Sequence, residues 1–512
     1  MNPAEHFAPL ARSEPLAPAP DWSWLDAGIS IAARSEGITY IALPAPLVPA
    51  AVIVDELRDQ PLVSWTSADL TIVGVGIARE LRGTGRTRWA EVIAGAHAIA
   101  TNTPDPGDEP RDTMPTRLGD ELGGKPHERG ARSNAERCAG ESRAVIAGEL
   151  APVSALGFAR PRFLGGAAFA PGAADRAPWL GFGDAWFALP RWTYVHDNAR
   201  AYLVLAIDAR DAVHGSRWRD ELSIFRAALA AGTVDRKQPA LAELGPAPAG
   251  EWHQQVTDIT DAIARGECSK IVAARVCNVQ LAGAVRAAGL LAALDDRHAE
   301  CVRVMIKPPG GGALVAASPE RLVRRDGDVV MCDALAGSVA NTGDVAAATA
   351  TLRASAKDRR EHDLVVHAIR AALEDAGATV EAPEEPAIRA LRHVLHLHTP
   401  FRAQLRTPRH VLELVARLHP TPAVGGTPTE IATEWIKTHE PVARGWYAAP
   451  VGWFDLEGNG ELAVALRSGV ISGNRAQLWA GAGIVAGSDP ERELAETEMK
   501  LRAMLGALGV TG

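Results

Sequence analysis

The sequence predicts a mixed α/β or α+β fold in which helices and strands do not alternate regularly. Short β-rich runs precede helical patterns along the 512 residues, yet several strand runs follow one another as hairpins. No segment recurs at a fixed period, which argues against a solenoid. Hydrophobic residues make up 47% of the chain, enough for a sizeable core. We therefore expect one large domain or two to three ordinary ones.

Two segments of the N-terminal part lack periodicity. Residues 1–20 are rich in Pro and Ala, which predicts a flexible arm, and residues 102–142 combine Pro, Gly, Arg and acids, which predicts a disordered surface insertion. The part from 21 to 240 otherwise shows hydrophobic periodicity. It predicts strands at 37–43, 70–76, 161–169, 185–192 and 201–207, the last three as neighbours in one sheet, and helices at 87–100 and 143–150.

Residues 238–250, again rich in Pro and Ala, resemble a linker that leads into a C-terminal part from 250 to 512. Periodicity continues beyond this segment. It predicts helices at 252–266, 283–297, 357–376 and 408–417, and strands at 270–281, 301–306, 313–316, 321–324, 328–331, 449–455, 461–472 and 475–481.

Composition excludes several classes of protein. The net charge of -9 and a pI near 6.0 argue against a nucleic-acid-binding protein, although a small anionic substrate stays possible. The five cysteines are odd in number and form no CxxC pair, which indicates neither a disulfide framework nor a zinc site and fits a reducing cytoplasm. The N-terminus does not resemble a signal peptide, and the sequence has no clean apolar run of about 18 residues, so no membrane partner is expected.

The stretch from Gly481 to Leu501 combines a glycine loop, a helix start and ordered charges. Ser488 or Asp489 can cap a helix, and Pro490 suits its first turn. Residues Glu493, Glu496 and Lys500 then project from one side of that helix. On spacing alone, a solvated charged face is an equally simple interpretation.

A second helix repeats this pattern, because Asp358 and Glu361 are three residues apart and share a face. Two such helices would bring four carboxylates together. A cluster of that kind needs a cation, and an all-oxygen ligand set suits Mg²⁺. The alternative is that each pair is exposed to solvent.

Three further charged residues stand in apolar surroundings. Lys270 opens the strand Lys270-Ile-Val-Ala-Ala274, where a desolvated amine could act as a general base. Asp333 ends the run 328–333 and could be the complementary acid, or an ordinary aspartate at a turn. Arg467, interpreted as part of a strand, could clamp a carboxylate or form a structural ion pair.

The histidines and paired glycines are less informative. His393, His396 and His398 have HxH spacing, but no acid or cysteine stands at ligand spacing, so pocket lining or core packing is favoured over zinc. The Gly425-Gly426 pair lacks a strand-to-helix phosphate fingerprint, which argues against nucleotide binding.

Taken together, six motifs resemble those of chorismate-binding enzymes, the family of isochorismate, salicylate, anthranilate and aminodeoxychorismate synthases. The resemblance is dense over 250–508 and thinner over 160–210. The motifs are, in chain order, Ser318-Pro-Glu-Arg-Leu322, Ala334-Leu-Ala-Gly-Ser338, Lys357-Asp-Arg-Arg-Glu-His362, Leu418-His-Pro-Thr-Pro-Ala-Val-Gly-Gly426, Arg444-Gly-Trp-Tyr447 and the block from Gly481 to Lys500.

This resemblance implies a fold and a set of site residues. The fold would be a sandwich of two large, mainly antiparallel sheets flanked by helices. Mg²⁺ would bind the ring carboxylate of chorismate through Glu361 and Glu496, with Asp358 and Glu493 behind them. Arg467 and Tyr447, with the backbone of Gly481, Ala482 and Gly483, would contact the enolpyruvyl carboxylate of the substrate. Lys500 would lie near the ring carboxylate. The pocket would be lined by Gly337, Ser338 and His396.

The resemblance also favours one reaction within the family. Lys270 matches the lysine that activates water in isochorismate and salicylate synthases, whereas Ala336 stands where aminodeoxychorismate synthases carry a lysine. Ala423 resembles the small residue of isochorismate synthases rather than the threonine of salicylate synthases. We therefore expect an isochorismate synthase, an isomerase serving menaquinone or siderophore biosynthesis. It would need no amidotransferase subunit and would be a monomer or a weak homo-oligomer.

One departure from the family pattern concerns the general acid. The resemblance assigns that role to a glutamate before the Ala-Leu-Ala-Gly segment, and this chain has Asp333 there, with Ser338 in place of threonine. Aspartate is shorter by one methylene, and a misplacement of about 1 Å can lower a rate about 100-fold. Two alternatives to the isochorismate synthase therefore stay open: a salicylate synthase, and a weakly active chorismate-binding paralogue that acts as a regulatory or partner subunit.

Overall fold

The computed structural model describes residues 23–34, 37–101, 143–146, 149–209, 211–212 and 214–510. The expected arm at 1–20 and the expected insertion at 102–142 lie outside these residues.

The described residues form two large, mainly antiparallel sheets, whose strands we number in chain order. The larger sheet has 14 strands, in the spatial order β11 (Leu241–Pro246), β12 (Lys270–Leu281), β24 (Arg475–Val485), β23 (Ser468–Ser472), β14 (Ala313–Ser318), β13 (Val302–Lys307), β2 (Leu62–Thr66), β3 (Thr71–Val75), β9 (Trp192–His196), β10 (Ala201–Asp208), β1 (Ile38–Ala45), β5 (Arg143–Ile146) and β6 (Glu149–Pro152), with β20 (Gly426–Thr427) paired to β12.

The smaller sheet has 10 strands and also combines segments from both halves of the chain. Its spatial order is β17 (Ala378–Glu381), β19 (Val394–Leu405), β16 (Val329–Ala340), β15 (Arg321–Asp326), β22 (Gly460–Val464), β21 (Pro450–Asp455), β7 (Arg162–Ala167), β8 (Ala185–Leu189) and β4 (Arg79–Gly83), with β18 (Ala387–Ala390) paired to β19.

Helices complete the described structure. Among the described residues, no helix combines the length and apolar character needed to cross a bilayer. The helices are α1 (Ser23–Ala32), α2 (Ala50–Glu56), α3 (Arg88–Ala100), α4 (Gly215–Ala231), α5 (Ala249–Ala264), α6 (Ala287–Arg297), α7 (Val345–Ala354), α8 (Ala356–Asp375), α9 (Val411–Leu418), α10 (Thr429–His439) and α11 (Pro490–Ala507), with 3₁₀ turns at Gly85–Thr87 and Val153–Ala159.

Both faces of the larger sheet are buried over its central strands, which explains why those strands are nearly continuously apolar. On β13, Val304 and Ile306 belong to a core shared with the smaller sheet, whereas Met305 belongs to a second core that includes α1, α2, α4, α6 and α11. Ile72 and Val73 of β3 divide between the same two cores. This period of two is what alternating side chains require. The predicted two-sheet sandwich flanked by helices is confirmed.

The predicted helix at 143–150 is wrong, because that region forms the hairpin of β5 and β6. Residues of β5 pair in parallel with β1, Thr39 opposite Arg143, and in antiparallel fashion with β6. Pairing with a distant strand therefore overrides the helical tendency of the local sequence.

Three other predictions from local pattern need correction, each because pairing depends on distant strands. The expected linker at 238–250 instead contains β11, an edge strand paired with β12, and the start of α5. The strand at 201–207 is in the larger sheet, whereas those at 161–169 and 185–192 contain paired strands of the smaller sheet. The single strand expected at 461–472 is two strands, β22 and β23, in different sheets.

Gly445 illustrates how tightly the two halves pack. Its φ of +54° lies in the left-handed region, and an added Cβ would overlap the ring of Trp179, which is 1% exposed. We expect Gly445→Ala to lower the free energy of unfolding by about 2–5 kcal/mol, from backbone strain plus overpacking. Gly473→Ala is the matched control, with φ +58° and open space around the new methyl group. It should cost about 1–2 kcal/mol. Equal losses in urea unfolding would contradict the packing argument.

Candidate active site

The chain crosses between the two sheets twice at one place, and the candidate site lies there. The first crossing joins β14 to β15 through the dipeptide that ends at Glu320, and the second joins β22 to β23 through residues 465–467. Backbone hydrogen bonds hold the crossings in register. The N–H of Val464 donates to the carbonyl of Glu320 at 3.1 Å, and that of Ala317 donates to the carbonyl of Arg467 at 3.2 Å. Both side chains are thereby fixed beside one cavity.

The space free of atoms in that cavity, part of it open to solvent, is about 720 Å³. It brings together most of the residues predicted to form the site. The predicted residues on its wall are Gly337, Ser338, Glu361, His396, Ala423, Tyr447, Arg467, Gly481, Gly483, Glu496 and Lys500. The predicted residues that do not line it are Lys270, Asp333, Asp358, Ala482 and Glu493.

Lys270, at the start of β12, lies immediately behind the wall. Its side chain is fully buried, and Nζ is 2.9 Å from a carboxylate oxygen of Glu361, which does line the cavity. Gly483 on the paired strand makes this approach possible. A Cβ there would overlap the Glu361 carboxylate and lie 2.9 Å from Lys270 Cε. The glycines that we interpreted as a loop are thus part of β24, and the missing side chain gives both charged groups room.

Helix α11 begins as predicted and carries the second carboxylate of the wall. Asp489 caps it by accepting from the N–H of Arg492 at 3.0 Å, with Pro490 in the first turn. Glu496 accepts a hydrogen bond from the Ser338 hydroxyl at 2.8 Å and pairs with Lys500 at 2.7 Å. Burial alone would raise the pKa of Glu496, but these partners lower it to about 2. This carboxylate is therefore ionised at neutral pH.

The other two predicted acids stand one layer back. Asp358 accepts from the N–H of Ser338 at 3.2 Å. Glu493 pairs with Lys357 at 2.6 Å, yet burial and the charge of Glu496 raise its pKa. Of the four predicted acids, Glu361 and Glu496 thus line the cavity, and Asp358 and Glu493 do not.

The donor set at the front fits a hard divalent cation. Glu361 and Glu496 reach the cavity from two different helices, α8 and α11, and both offer only carboxylate oxygens. Oxygen donors in small number, with room for water and substrate oxygens, are what Mg²⁺ accepts. Lys270 pairs with Glu361 and Lys500 pairs with Glu496. These pairs offset the repulsion between the two carboxylates when no cation is bound.

A strained backbone presents the polar groups on the opposite wall. Three described non-glycine residues have φ in the left-handed region, and two of them, Ala448 (+58°) and Arg467 (+47°), line the cavity. The sequence suggested that Arg467 lies inside a strand. It lies instead in the connection between the two sheets. Its Nη2 is 3.4 Å from Nε2 of His396. Burial, with Arg467 and Lys500 nearby, lowers the pKa of His396 to about 3, so this imidazole is neutral.

Tyr447 is held by an ion-paired arginine from its own motif. The guanidinium of Arg444 donates to the carbonyls of Val272 and Val424, both at 2.7 Å, and pairs with Glu440 at 2.5 Å. Its Cζ also lies 5.9 Å from the centre of the Tyr447 ring. Arg444 therefore joins β12, the 424 loop and the tyrosine into one rigid wall.

Asp333 is not brought to the cavity. It lies on β16 five residues before Ser338, about 17 Å along an extended strand, and lines a separate surface depression. His398 bonds its carboxylate at 3.0 Å, and Arg321 and Arg389 lie within 3.8 Å. Burial acts to raise the pKa of Asp333, but the hydrogen bond from His398 and the charges of Arg321 and Arg389 outweigh it and lower that pKa. An ionised, ion-paired aspartate is a poor proton donor.

The residue that sequence reasoning missed is Glu320. It belongs to the Ser-Pro-Glu-Arg motif, lines the cavity and is only 2% exposed. Burial, and secondarily the charge of Asp333, raises its pKa to about 8 against the pull of Lys270 and Lys500. A carboxyl that keeps its proton at neutral pH is suited to general-acid chemistry.

Comparison with known proteins agrees with this geometry. A family model described as chorismate binding enzyme matches residues 131–509. The chain belongs to the chorismate-binding enzymes. Isochorismate synthases of this family need a divalent metal, which is consistent with the two carboxylates on the cavity wall.

Curated relatives in this chorismate-binding family carry isochorismate synthase names. A salicylate biosynthesis isochorismate synthase of Pseudomonas aeruginosa is 36% identical over 469 residues, covering 89% of this chain and 86% of the relative. The isochorismate synthase MenF of Bacillus subtilis is 41% identical over 263 residues, covering 51% of this chain and 55% of the relative.

Solved structures of chorismate-binding enzymes share the sandwich. The menaquinone-specific isochorismate synthase MenF of Escherichia coli aligns with a TM-score of 0.70 at 26% identity, over 95% of this chain and all of that one. Anthranilate synthase component I of Streptococcus pneumoniae aligns with a TM-score of 0.61 at 17% identity, over 85% and 92%, and supports the fold alone.

Proposed function

We propose that this chain is an isochorismate synthase, which converts chorismate to isochorismate by adding water at ring carbon 2 and expelling the hydroxyl from carbon 4. The observation that carries the proposal is the placement of a buried lysine directly behind the cavity wall and a buried carboxyl group on that wall. Lys270 is fully buried against Glu361, and Glu320 has its pKa raised to about 8. Water addition with loss of hydroxide requires one base and one acid.

The protons balance across the two groups. Lys270, in its neutral form, takes a proton from water as the water oxygen bonds to carbon 2. The ring double bonds shift, and the carbon 4 hydroxyl leaves as water with the proton of Glu320. We assign this acid role to Glu320 in place of Asp333, which is ion-paired outside the cavity. With a glutamate in that role, the shorter aspartate no longer argues for a weakly active paralogue.

Chorismate would be held by the remaining polar groups of the wall. Arg467 and Tyr447 face the enolpyruvyl carboxylate, with the backbone of 481–483 beside it, and Lys500 lies near the ring carboxylate. Glu361 and Glu496 would hold the metal, which we propose is Mg²⁺. When bound, Mg²⁺ supplies positive charge that fixes the ring carboxylate. Pre-organised charges of this kind orient the ring between Lys270 and Glu320.

Two alanines favour isochorismate over other products of the family. Ala336 and Ala423 both line the cavity, at the two positions where the resemblance separates aminodeoxychorismate and salicylate synthases. Incubation of the protein with chorismate and Mg²⁺, followed by chromatography of the products, should give isochorismate without added ammonia or a lyase. Formation of salicylate and pyruvate instead would identify a salicylate synthase. Absence of any product would contradict the proposal.

Loss of one proposed metal ligand should abolish metal-dependent turnover. In Glu496→Gln the side chain keeps its size but loses the charge now held between Ser338 and Lys500. We expect kcat/KM to fall at least about 100-fold, with half-saturation at a higher Mg²⁺ concentration. The control is Glu491→Gln, a 74% exposed acid of the same helix. Unchanged turnover in Glu496→Gln would refute the assignment.

The proposed reaction also bears on partner subunits, oligomeric state and cellular compartment. Water as nucleophile requires no amidotransferase subunit, and a monomer or weak homo-oligomer is sufficient because one chain supplies every group assigned above. The described cysteines, Cys268, Cys277, Cys301 and Cys332, are free and buried. They agree with the proposed reducing cytoplasm.

A further inference from the structure

We propose that His298, Glu300 and Cys301 form a second cation site, separate from the carboxylates of the cavity, which binds Zn²⁺ or a similar borderline-soft divalent ion. We also propose that an ion bound there weakens substrate binding through Arg467. The first statement concerns binding alone, whereas the second rests on the proposed function.

The three side chains converge at the turn between α6 and β13. His298 Nδ1 lies 3.8 Å from a Glu300 carboxylate oxygen, and that oxygen lies 4.0 Å from Cys301 Sγ. All three ligand atoms fall within 4.8 Å of one another. Tetrahedral zinc with bonds of about 2.0–2.3 Å holds its ligand atoms about 3.3–3.8 Å apart. Small rotations of the side chains would therefore close the site, with water as a fourth ligand.

His298 is the observation that points to a ligand. It is 1% exposed, and neither ring nitrogen has a hydrogen-bond partner among the described residues. Burial of an imidazole without a hydrogen bond is costly, and the nearest acceptor, the Glu300 carboxylate, lies 3.8 Å from Nδ1. The ring of His393, 6.1 Å away between centres, packs near it without bonding to it. A cation bound at Nδ1 would give that buried nitrogen a partner.

The donor types select the ion. Imidazole, thiolate and one carboxylate suit Zn²⁺ or Co²⁺ and are poor ligands for Mg²⁺. Cys301 would release its proton to solvent on binding, so Glu300 and the thiolate together neutralise the dication. The nearby Arg303 is already paired with Asp295 at 2.9 Å. Glu300, with 37% of its side chain exposed, provides the route of entry from solvent.

Arg467 connects this site to the cavity. Its Nη1 lies 3.9 Å from Cys301 Sγ, while the same guanidinium lines the cavity and lies 3.4 Å from His396 through Nη2. A thiol sulfur is a weak hydrogen-bond acceptor, whereas a metal-bound thiolate sulfur has lost its own proton and accepts a hydrogen bond from a guanidinium more strongly. Metal binding would thus give Arg467 a competing partner for the charge that it otherwise offers to a substrate carboxylate. The expected consequence is a higher KM for chorismate.

Cobalt provides a direct test of binding that does not depend on activity. With the protein saturated with Mg²⁺, titration with Co²⁺ should produce a thiolate-to-cobalt charge-transfer band that saturates at one equivalent. Cys301→Ser should abolish the band, and Glu300→Gln, a change at a partly exposed residue, should weaken Co²⁺ binding at least about 10-fold. Cys332→Ser, at another buried cysteine, is the matched control and should keep the band. No band, or a band that survives Cys301→Ser, would overturn the site.

Kinetics test the connection to the cavity. At saturating Mg²⁺, Zn²⁺ should raise the KM for chorismate about 5-fold or more and change kcat less, a coupling of ordinary size. The effect should disappear in Cys301→Ser and persist in Cys332→Ser. A cobalt band without any change in KM would refute the connection while leaving the site. A preparation that gives the band but no isochorismate would refute the proposed function instead.

Discussion

Glu320→Gln is expected to lower kcat about 100- to 10,000-fold while leaving the binding of chorismate nearly unchanged. The amide has the size of the acid and still fits the buried position between β14 and β15, but it has no proton to give to the departing hydroxyl. General acid catalysis by a positioned side chain contributes factors of this order. Single-turnover rates separated from KM would measure the loss directly.

The pH dependence of the same variant gives an independent measurement. Because the pKa of Glu320 is raised to about 8, the wild-type acid is protonated below that pH and ionised above it. The rate should therefore fall as pH rises through about 8. This high-pH limb of the pH–rate profile should be missing in Glu320→Gln.

Asp333→Asn is the matched control for these experiments, since it removes the acid that lies outside the cavity. It should retain turnover within about 10-fold, and the limb should move to lower pH because a negative neighbour of Glu320 is lost. A large loss in Asp333→Asn together with an active Glu320→Gln would restore the role that the sequence first suggested.

The contrast between these two acids shows what local sequence can specify. The start of α11 was predictable because its cap and its proline act within one turn of the chain. The same is true of the pairs that face one way on α8 and α11, since helical spacing alone decides which side chains share a side. These features are properties of neighbouring residues.

The positions of Glu320 and Arg467 at the cavity depend instead on which sheet each neighbouring strand joins. Leu462 to Ile471 reads as one apolar strand, yet the chain leaves the smaller sheet after Val464 and enters the larger one at Ser468. No period in the sequence marks that change, because strands buried on both faces look alike. The left-handed φ of Arg467 was equally unpredictable, since only the surrounding hydrogen bonds impose it.

The helix predicted at 143–150 was wrong for a related reason, since this region is the hairpin at 143–152. Its residues pair with β1, roughly 100 positions earlier in the chain, and strand pairing at such a distance leaves no local signal. The family resemblance recovered the arrangement of the two sheets, which is confirmed. It also carried the acid role to position 333, whereas the contacts now favour position 320.

Replacement of Lys270 is the other change expected to have a large effect. In Lys270→Met the side chain keeps its length within the buried site between β12 and Glu361, but no group remains to take a proton from water. We expect kcat to fall about 100- to 10,000-fold. Lys437→Met, at a lysine in the last turn of α10, is the control and should leave turnover unchanged.

Lys270→Arg separates the two physical roles that this position can have. Arginine places a permanent positive charge beside Glu361, whose carboxylate lies 2.9 Å from Nζ of Lys270 in the wild type, but arginine cannot give up its proton in a protein. If Lys270 is the base, Lys270→Arg should be as slow as Lys270→Met, although its midpoint of thermal unfolding stays closer to wild type because the ion pair is preserved. If Lys270→Arg instead retains turnover within about 10-fold, the lysine serves only to balance the charge of Glu361. The nucleophilic water would then have to be activated elsewhere on the wall.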